Sequence, residues 1–111
     1  RIKGKLLSFS IRIPTQIVCA ADITLRLKED NFKKIKEFIV KKADNSSVIK
    51  LNYDQITSLD VQGSEYSAII DMRWLKMYDD ILKMVLWYDN EWAYTSRIVD
   101  IVKYIHKKNL Y

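Results

Sequence analysis

A stretch near the end of the chain combines aromatic side chains with polar ones that can bind a ligand. Residues 87–97 read Trp-Tyr-Asp-Asn-Glu-Trp-Ala-Tyr-Thr-Ser-Arg. Asp89 and Asn90 both suit the start of a helix, because a short side-chain oxygen can accept a hydrogen bond from a backbone N–H of the first turn. The aromatic residues around them are Trp87, Tyr88, Trp92 and Tyr94. The stretch can therefore orient a planar ligand, but the alternative that the aromatics are core and Asn90 is only a cap stays open.

Arg12 is a candidate for binding a phosphate group. It shares the polar face of an alternating stretch, residues 7–13, with Ser8 and Ser10. A guanidinium on such a face can bind phosphate through two parallel hydrogen bonds. Asp22, on the next predicted strand, can instead form a salt bridge with Arg12. The residues alone leave both interpretations open.

Strands are predicted on both sides of these candidates. Residues 7–13 and 17–27 alternate apolar and polar, which is the period of a half-buried strand. Pro14 separates the two stretches, and the short link predicts an antiparallel pair. Residues 82–86 predict a buried strand that leads into the aromatic stretch. Between these regions, Gln62 and Gly63 predict a turn between strands, and residues 72–78 are interpreted as an edge strand or loop.

Two helices are predicted by apolar residues at helical spacing. Asp30 and Asn31 are candidate caps of the first, whose apolar face comprises Phe32, Ile35, Phe38, Ile39 and Ala43. The apolar face of the final helix comprises Tyr94, Ile98, Ile101, Val102 and Ile105. Its predicted solvent face comprises Arg97, Asp100, Lys103 and Lys107. The expected fold class is α+β, a largely antiparallel sheet with two main helices packed on it.

Composition limits the class of protein. The chain has 111 residues, of which 49% are hydrophobic and 30% charged, so it forms one domain at most. It begins with Arg1 rather than Met, which suggests a piece of a longer protein. Its only cysteine, Cys19, cannot form an internal disulfide, and a reducing, cytoplasmic setting is the simplest fit. No apolar run has the length of a membrane span, so no membrane association is expected.

The net charge of +5 raises the question of an anionic partner. Lysines are concentrated on the first predicted helix, at Lys33, Lys34, Lys36, Lys41 and Lys42. Such a row can bind nucleic acid or another acidic partner. Glu37 and Asp44 interrupt it, which favours a solvated helix face, and binding to nucleic acid is not expected.

Several motifs together resemble glyceraldehyde-3-phosphate dehydrogenase. Residues 9–15 and 22–27 are similar to the family's Phe-Arg-Val-Pro-Thr and Val-Asp-Leu-Thr-x-Arg-Leu strands, in order and spacing. Residues 87–97 resemble the junction between the family's last strand and final helix. Tyr66 and Ala68 depart from the usual His and Ser. Ala93 replaces the usual glycine, and its methyl group is a possible obstacle beside the nicotinamide site.

This resemblance implies a role for each candidate residue. Residues 1–111 correspond to the C-terminal portion of the catalytic domain, without the NAD-binding Rossmann domain. Arg12 corresponds to an arginine that binds the phosphates of the substrate and of attacking inorganic phosphate. Asn90 binds the nicotinamide carboxamide of NAD, with Tyr94 beside it, and Tyr88 is a wall of the active site. The family oxidises glyceraldehyde 3-phosphate in glycolysis and assembles as a homotetramer.

The chain carries none of the groups that perform the family's chemistry. It has no Gly-x-Gly-x-x-Gly loop and no Ser-Cys-Thr-Thr-Asn-Cys segment, which holds the family's nucleophile. Cys19 lies where the family has a small strand residue. No catalytic residue and no metal ligand is assigned, and the fragment alone is predicted to be inactive. Two alternatives stay open: an erythrose-4-phosphate dehydrogenase fragment, and a free-standing basic α+β module that binds nucleic acid or an acidic partner.

Overall fold

A computed structural model describes residues 4–14 and 16–108, and within them the chain forms four strands and three helices. In chain order the elements are β1 (Cys19–Arg26), α1 (Phe32–Asp44), β2 (Ile49–Asn52), α2 (Ser58–Val61), β3 (Ala68–Tyr78), β4 (Ile81–Tyr88) and α3 (Trp92–Lys107). The strands form one sheet in the order β1-β4-β3-β2. β4 is antiparallel to both of its neighbours, and β2 is parallel to β3. The predicted α+β class with a largely antiparallel sheet is confirmed.

The pairing of β1 with β4 brings distant parts of the chain together. Cys19 lies opposite Tyr88 at one end of the ladder, and Arg26 lies opposite Ile81 at the other. β3 and β4 form a hairpin whose last pair, Tyr78 with Ile81, encloses a two-residue turn. The first turn residue, Asp79, has a φ of 47°, a left-handed conformation that aspartate tolerates better than most residues.

α1 covers one face of the sheet. The buried residues of this face are Ile70, Met72, Leu75 and Leu82, and α1 packs on them with Phe32, Ile35, Ile39 and Val40. Asn31 is the cap, since its side chain accepts a hydrogen bond from the backbone N–H of Lys34 at 3.1 Å. Phe38 was predicted on the buried face but is 60% exposed. Phe38 lies at the edge of the apolar face of α1. Val40 packs against the buried residues of the sheet instead.

A smaller cluster covers part of the opposite face. Val18, Val61 and Ile69 are its buried members, and Trp87 packs against them. Val61 belongs to α2, whose first turn is stabilised by a capping box between Thr57 and Asp60. The turn at Gln62 and Gly63 follows this short helix, so it joins α2 to β3 rather than two strands.

Two strand predictions are wrong. Residues 7–13 form no strand and are exposed, because β1 pairs with β4 and the other edge of β1 is unpaired among the described residues. An alternating pattern predicts a strand only where a neighbour supplies hydrogen bonds. Residues 72–78 are the second half of β3, an interior strand of the sheet order, and not an edge strand or loop. An irregular register between Asp71 and Lys76 interrupts the alternation there, which conceals the strand in the sequence.

α3 begins where predicted but does not bury its apolar face. Tyr94 is 68% exposed, Ile101 57% and Val102 60%. From Ile98 to Lys107 every residue of the helix is exposed. Arg97, predicted to face solvent, is half-buried and donates hydrogen bonds to the Glu65 carbonyl at 3.2 Å and to Ser67 Oγ at 3.0 Å. The first half of α3 is therefore attached to the loop before β3. Of the helices in residues 4–14 and 16–108, none has the length and apolarity to cross a membrane.

Candidate functional site

The site is the corner where β4 ends and α3 begins, beside the first residue of β1. The corner is defined here as Cys19, Tyr88, Asp89 and Asn90. Sheet pairing places Cys19 opposite Tyr88, the last residue of β4. The next two residues of the chain carry the carboxylate and the carboxamide. The corner therefore combines a residue from the first strand with residues from the end of the last strand.

Asp89 is the residue that holds the corner together. Asp89 is 1% exposed. Its Oδ1 accepts hydrogen bonds from the backbone N–H groups of Glu91 at 2.9 Å and Trp92 at 2.8 Å. Its Oδ2 accepts from the N–H of Gly63 at 2.8 Å. Gly63 has a φ of 77°, a conformation that glycine adopts without strain. Asp89 thus caps α3 and joins its first turn to the turn after α2.

Hydrogen bonding keeps the Asp89 carboxylate charged. Burial alone would raise its pKa, because a buried carboxylate loses solvation. The N–H groups of Trp92, Gly63 and Glu91 outweigh burial and hold the pKa of Asp89 below its ordinary value. The negative charge also lies at the N-terminus of α3, where it complements the helix dipole.

Asn90 is exposed and is not a helix cap. Its Oδ1 accepts a hydrogen bond from Cys19 Sγ at 3.6 Å, a normal distance for a sulfur donor. The interpretation of Asn90 as only a cap is therefore wrong, because Asp89 makes the capping contacts. A carboxamide also carries an NH₂ group with two donors. Those donors can bind an acceptor on a ligand.

Tyr88 is the aromatic residue of the corner, and it is half-buried. Burial, together with the neighbouring Cys19 thiol, raises the pKa of Tyr88 above its ordinary value. Its phenol therefore stays protonated at neutral pH. It offers a rigid apolar surface with one polar atom, which suits a wall of a binding site.

The other aromatic residues of the stretch have different surroundings. Trp87 is half-buried, and its Nε1 donates a hydrogen bond to Asp71 Oδ2 at 3.2 Å. Trp92 and Tyr94 are 54% and 68% exposed, so they are not core residues. Ala93 is only 5% exposed. Its methyl group is enclosed by the chain and does not line the exposed surface of the corner.

Arg12 lies apart from the corner. It is exposed, within the segment 7–13 that forms no strand. The Arg12–Asp22 salt bridge is not formed, because Asp22 Oδ1 pairs with Lys83 Nζ at 2.6 Å across the β1–β4 ladder. Among the described residues, the structure brings Tyr88 and Asn90 together and leaves Arg12 and Tyr94 exposed.

Two features of this region were not predicted from the sequence. Cys19 contacts Asn90 although 71 positions separate them, and the sequence pattern does not give the strand register that creates this contact. Asp71 is fully buried and binds Arg73 Nη2 at 2.6 Å as well as Trp87. The isolated Asp71 in an apolar run was the available signal, because a buried carboxylate needs a partner.

The described residues contain no group of three or more His, Cys, Asp or Glu side chains placed to bind a metal ion.

Comparison with known proteins identifies a family. The family model described as the C-terminal domain of glyceraldehyde 3-phosphate dehydrogenase matches residues 1–90. A glyceraldehyde-3-phosphate dehydrogenase of Sclerotinia sclerotiorum is 36% identical over 111 residues, covering 96% of this chain and 32% of the relative. A relative from Oryza sativa subsp. japonica, named a cytosolic glyceraldehyde-3-phosphate dehydrogenase 3, is 35% identical and covers 97% of this chain and 33% of the relative. A Chlamydia pneumoniae relative has the same identity and the same two coverages.

The chain thus spans about a third of the length of these relatives. The match to the family model extends over most of the chain, residues 1–90, and so includes β1 and the corner at the end of β4. This chain belongs to the glyceraldehyde 3-phosphate dehydrogenase C-terminal domain family.

Proposed function

We propose that this chain is the C-terminal portion of the catalytic domain of a phosphorylating, NAD-dependent glyceraldehyde-3-phosphate dehydrogenase of glycolysis. The observation that carries this proposal is the exposed Asn90 carboxamide at the β4–α3 corner. Asp89 caps the helix, so the NH₂ group of Asn90 is available to a ligand. Relatives with the family's name match nearly the whole chain.

The residues of the corner fit the nicotinamide group of NAD. The Asn90 NH₂ can donate a hydrogen bond to the carboxamide oxygen of the ring, which decides which ring face meets the substrate. Tyr88 precedes the corner as a half-buried aromatic residue, and Tyr94 adds an exposed aromatic side chain on the first turn of α3. NAD, when bound, supplies the acceptor for the hydride. The contribution of this chain is to hold the ring in one orientation, on which the rate depends steeply.

Arg12 is proposed to bind the phosphate groups of glyceraldehyde 3-phosphate and inorganic phosphate. Its guanidinium is exposed and is not paired with Asp22, so it can make bidentate contacts to a phosphate. The contacts that would bring Arg12 to the corner come from parts of the protein outside this chain. The Rossmann domain, the nucleophilic cysteine and the catalytic base are assigned to those parts, and the chain alone is expected to be inactive.

The assembly and the location proposed for the intact enzyme follow its family. We infer a cytoplasmic homotetramer. A sister enzyme that acts on erythrose 4-phosphate would use the same corner, and substrate profiling separates the two. A nucleic-acid-binding module is disfavoured by α1, where Lys34 pairs with Glu29, Lys42 lies 5.5 Å from the Phe38 ring, and Glu37 and Asp44 interrupt the row.

The first experiment is to determine the reading frame upstream of Arg1. A Rossmann domain, a cysteine nucleophile and a histidine base in frame are expected. A start codon immediately before Arg1 would overturn the enzymatic proposal.

The second experiment compares Asn90→Ala with the wild type in the full-length protein. NAD-dependent oxidation of glyceraldehyde 3-phosphate should fall by roughly 10- to 100-fold in kcat/KM for NAD, because a misplaced ring reacts slowly. Asn45→Ala is the matched control, since Asn45 donates to the Lys41 carbonyl at the far end of α1. Equal kinetics for wild type and Asn90→Ala would remove the cofactor assignment.

A further inference from the structure

Cys19 makes a contact that the proposed function does not use. Its Sγ donates to Asn90 Oδ1 at 3.6 Å, and its backbone pairs with Tyr88 in the sheet. The side chain is half-buried. The thiol thus lies between the last residue of β4 and the carboxamide that follows it.

The backbone holds the thiol in this position. The residue before it, Val18, is 6% exposed and has a φ of 80°, which is rare for a β-branched residue. Such a conformation persists only where the surroundings fix it. Val18 packs against Val61 and Ile69, and the β1–β4 ladder begins at Cys19. The backbone before Cys19 is therefore held by packing, and the backbone from Cys19 onward is held by sheet pairing.

A donor at Oδ1 selects one of the two orientations of a carboxamide. The oxygen and the NH₂ group of asparagine have nearly the same shape, and a rotation of 180° about χ2 exchanges an acceptor for two donors. The Cys19 S–H donates, so it is satisfied only when Oδ1 faces it. The NH₂ group of the exposed Asn90 then faces away from the thiol.

We propose that Cys19 is a positioning residue whose thiol fixes the Asn90 carboxamide with its NH₂ group directed at the ligand. The corner then accepts a ligand group that receives hydrogen bonds, such as the carboxamide oxygen of a nicotinamide ring. The identity of this ligand rests on the proposed function, whereas the orientation of Asn90 does not. Tyr88 pairs with Cys19 in the sheet, and both residues are half-buried.

The kinetic test uses the full-length protein and three substitutions of Cys19. Cys19→Ala and Cys19→Val remove the donor, and the second keeps most of the volume. Both should raise the KM for NAD or lower kcat/KM for NAD by about three- to tenfold, which corresponds to the loss of one hydrogen bond. Cys19→Ser restores a donor and should return the kinetics to within about twofold of the wild type. Thr24→Ala is the control, because it removes a surface hydrogen bond to Lys83 from the same strand.

A double substitution separates positioning from a general structural effect. If Cys19 acts through Asn90, Cys19→Val should have no further effect in the Asn90→Ala background. Equal effects of Cys19→Val in both backgrounds, with equal melting temperatures, would overturn the proposal. So would a Cys19→Ser enzyme that folds normally and has the kinetics of Cys19→Val.

A second measurement does not depend on enzymatic activity. The S–H to Oδ1 contact holds the thiol against the Asn90 side chain, so its loss should increase the access of a reagent to the sulfur. Alkylation of Cys19 by iodoacetamide, followed by mass spectrometry of its peptide, should be at least about threefold faster in Asn90→Ala than in the wild type. Equal rates would overturn the proposal. Faster alkylation in a protein without NAD-dependent activity would support it and reject the proposed function.

Discussion

Asp89 stabilises three separate backbone groups from inside the protein. Side chains that cap helices are usually at the surface, but Asp89 is 1% exposed and also reaches the N–H of Gly63. A buried carboxylate costs solvation free energy, which only a full set of hydrogen bonds offsets. The position of the exposed Asn90 therefore depends on the buried residue that precedes it.

Asp89→Ala should lower the free energy of unfolding by about 3 kcal/mol, because it leaves three backbone N–H groups without their charged, buried acceptor. Denaturant titration followed by tryptophan fluorescence measures this, since Trp87 and Trp92 flank the site. The control is Asp22→Ala, whose side chain is 65% exposed and pairs with Lys83. Its expected cost is below about 1 kcal/mol. Equal costs for the two substitutions would contradict the buried-cap interpretation.

Lowering the pH should reduce the stability of the folded protein through Asp89. The pKa of Asp89 is lowered in the folded protein, so its stabilising contribution is full above the ordinary aspartate pKa of the unfolded chain. That contribution is lost as the pH falls through the lower, folded pKa. The fall in melting temperature with acid should be shallower in Asp89→Ala than in the wild type.

Arg12 is expected to contribute to substrate binding and not to stability. In the full-length protein, Arg12→Ala should raise the KM for glyceraldehyde 3-phosphate and for inorganic phosphate by about tenfold or more, since a bidentate phosphate contact is lost. The melting temperature should be unchanged, because Arg12 is exposed. Arg26→Ala is the control, an exposed arginine that pairs with Asp80. A change in melting temperature alone would contradict phosphate binding.

Secondary-structure elements differ in how far the sequence predicts them. α1 was predicted with its cap and most of its apolar face, because the cap and the helical periodicity both lie within 13 residues and their neighbours. Residues 7–13 carry an equally clear pattern but form no strand. A helix satisfies its backbone hydrogen bonds internally, whereas a strand depends on a partner that the pattern does not identify. The contact of Cys19 with Asn90 was not predictable for the same reason.

The cap of α1 gives a prediction at the scale of the element. Asn31→Ala should destabilise the protein by about 1 kcal/mol, because the N–H of Lys34 loses its acceptor. Asp30→Ala is the matched control, since the sequence made both residues candidates and the structure gives the cap to Asn31. Its cost should be less than half as large. Chemical denaturation of the two variants beside the wild type decides between them.

Residues 4–14 and 16–108 expose apolar side chains in at least two continuous stretches. One is the apolar stripe of α3, which comprises Ile98, Ile101, Val102 and Ile105. The other is the segment 7–13, where Leu7 is 97% exposed and Phe9 is 86% exposed. Folded monomers rarely leave contiguous apolar surface of this kind in water. The relatives from Sclerotinia sclerotiorum and Oryza sativa have about two thirds of their sequence outside the region that matches this chain.

Expressed alone, the chain should therefore associate with itself as concentration rises, and sedimentation velocity measures this. Ile101→Glu places a charge in the apolar stripe of α3 and should reduce the association. Lys103→Gln is the control, because it changes the net charge by the same amount on the opposite side of the helix. A chain that stays monomeric, or equal association of the two variants, would contradict the assignment of this stripe as the contact surface.

The hairpin of β3 and β4 has a consequence for the order of folding. Its strands are joined by two residues, so they can pair after closing a very short loop, and such pairing is fast. β1 reaches β4 only after a much longer loop closes, because Cys19 and Asn90 are 71 positions apart. We expect the hairpin to form early and the corner to assemble in the last steps. The proximity of Cys19 to Asn90 is then a kinetic marker of completed folding, and a pulse of thiol reagent during refolding would record when the binding corner comes into existence.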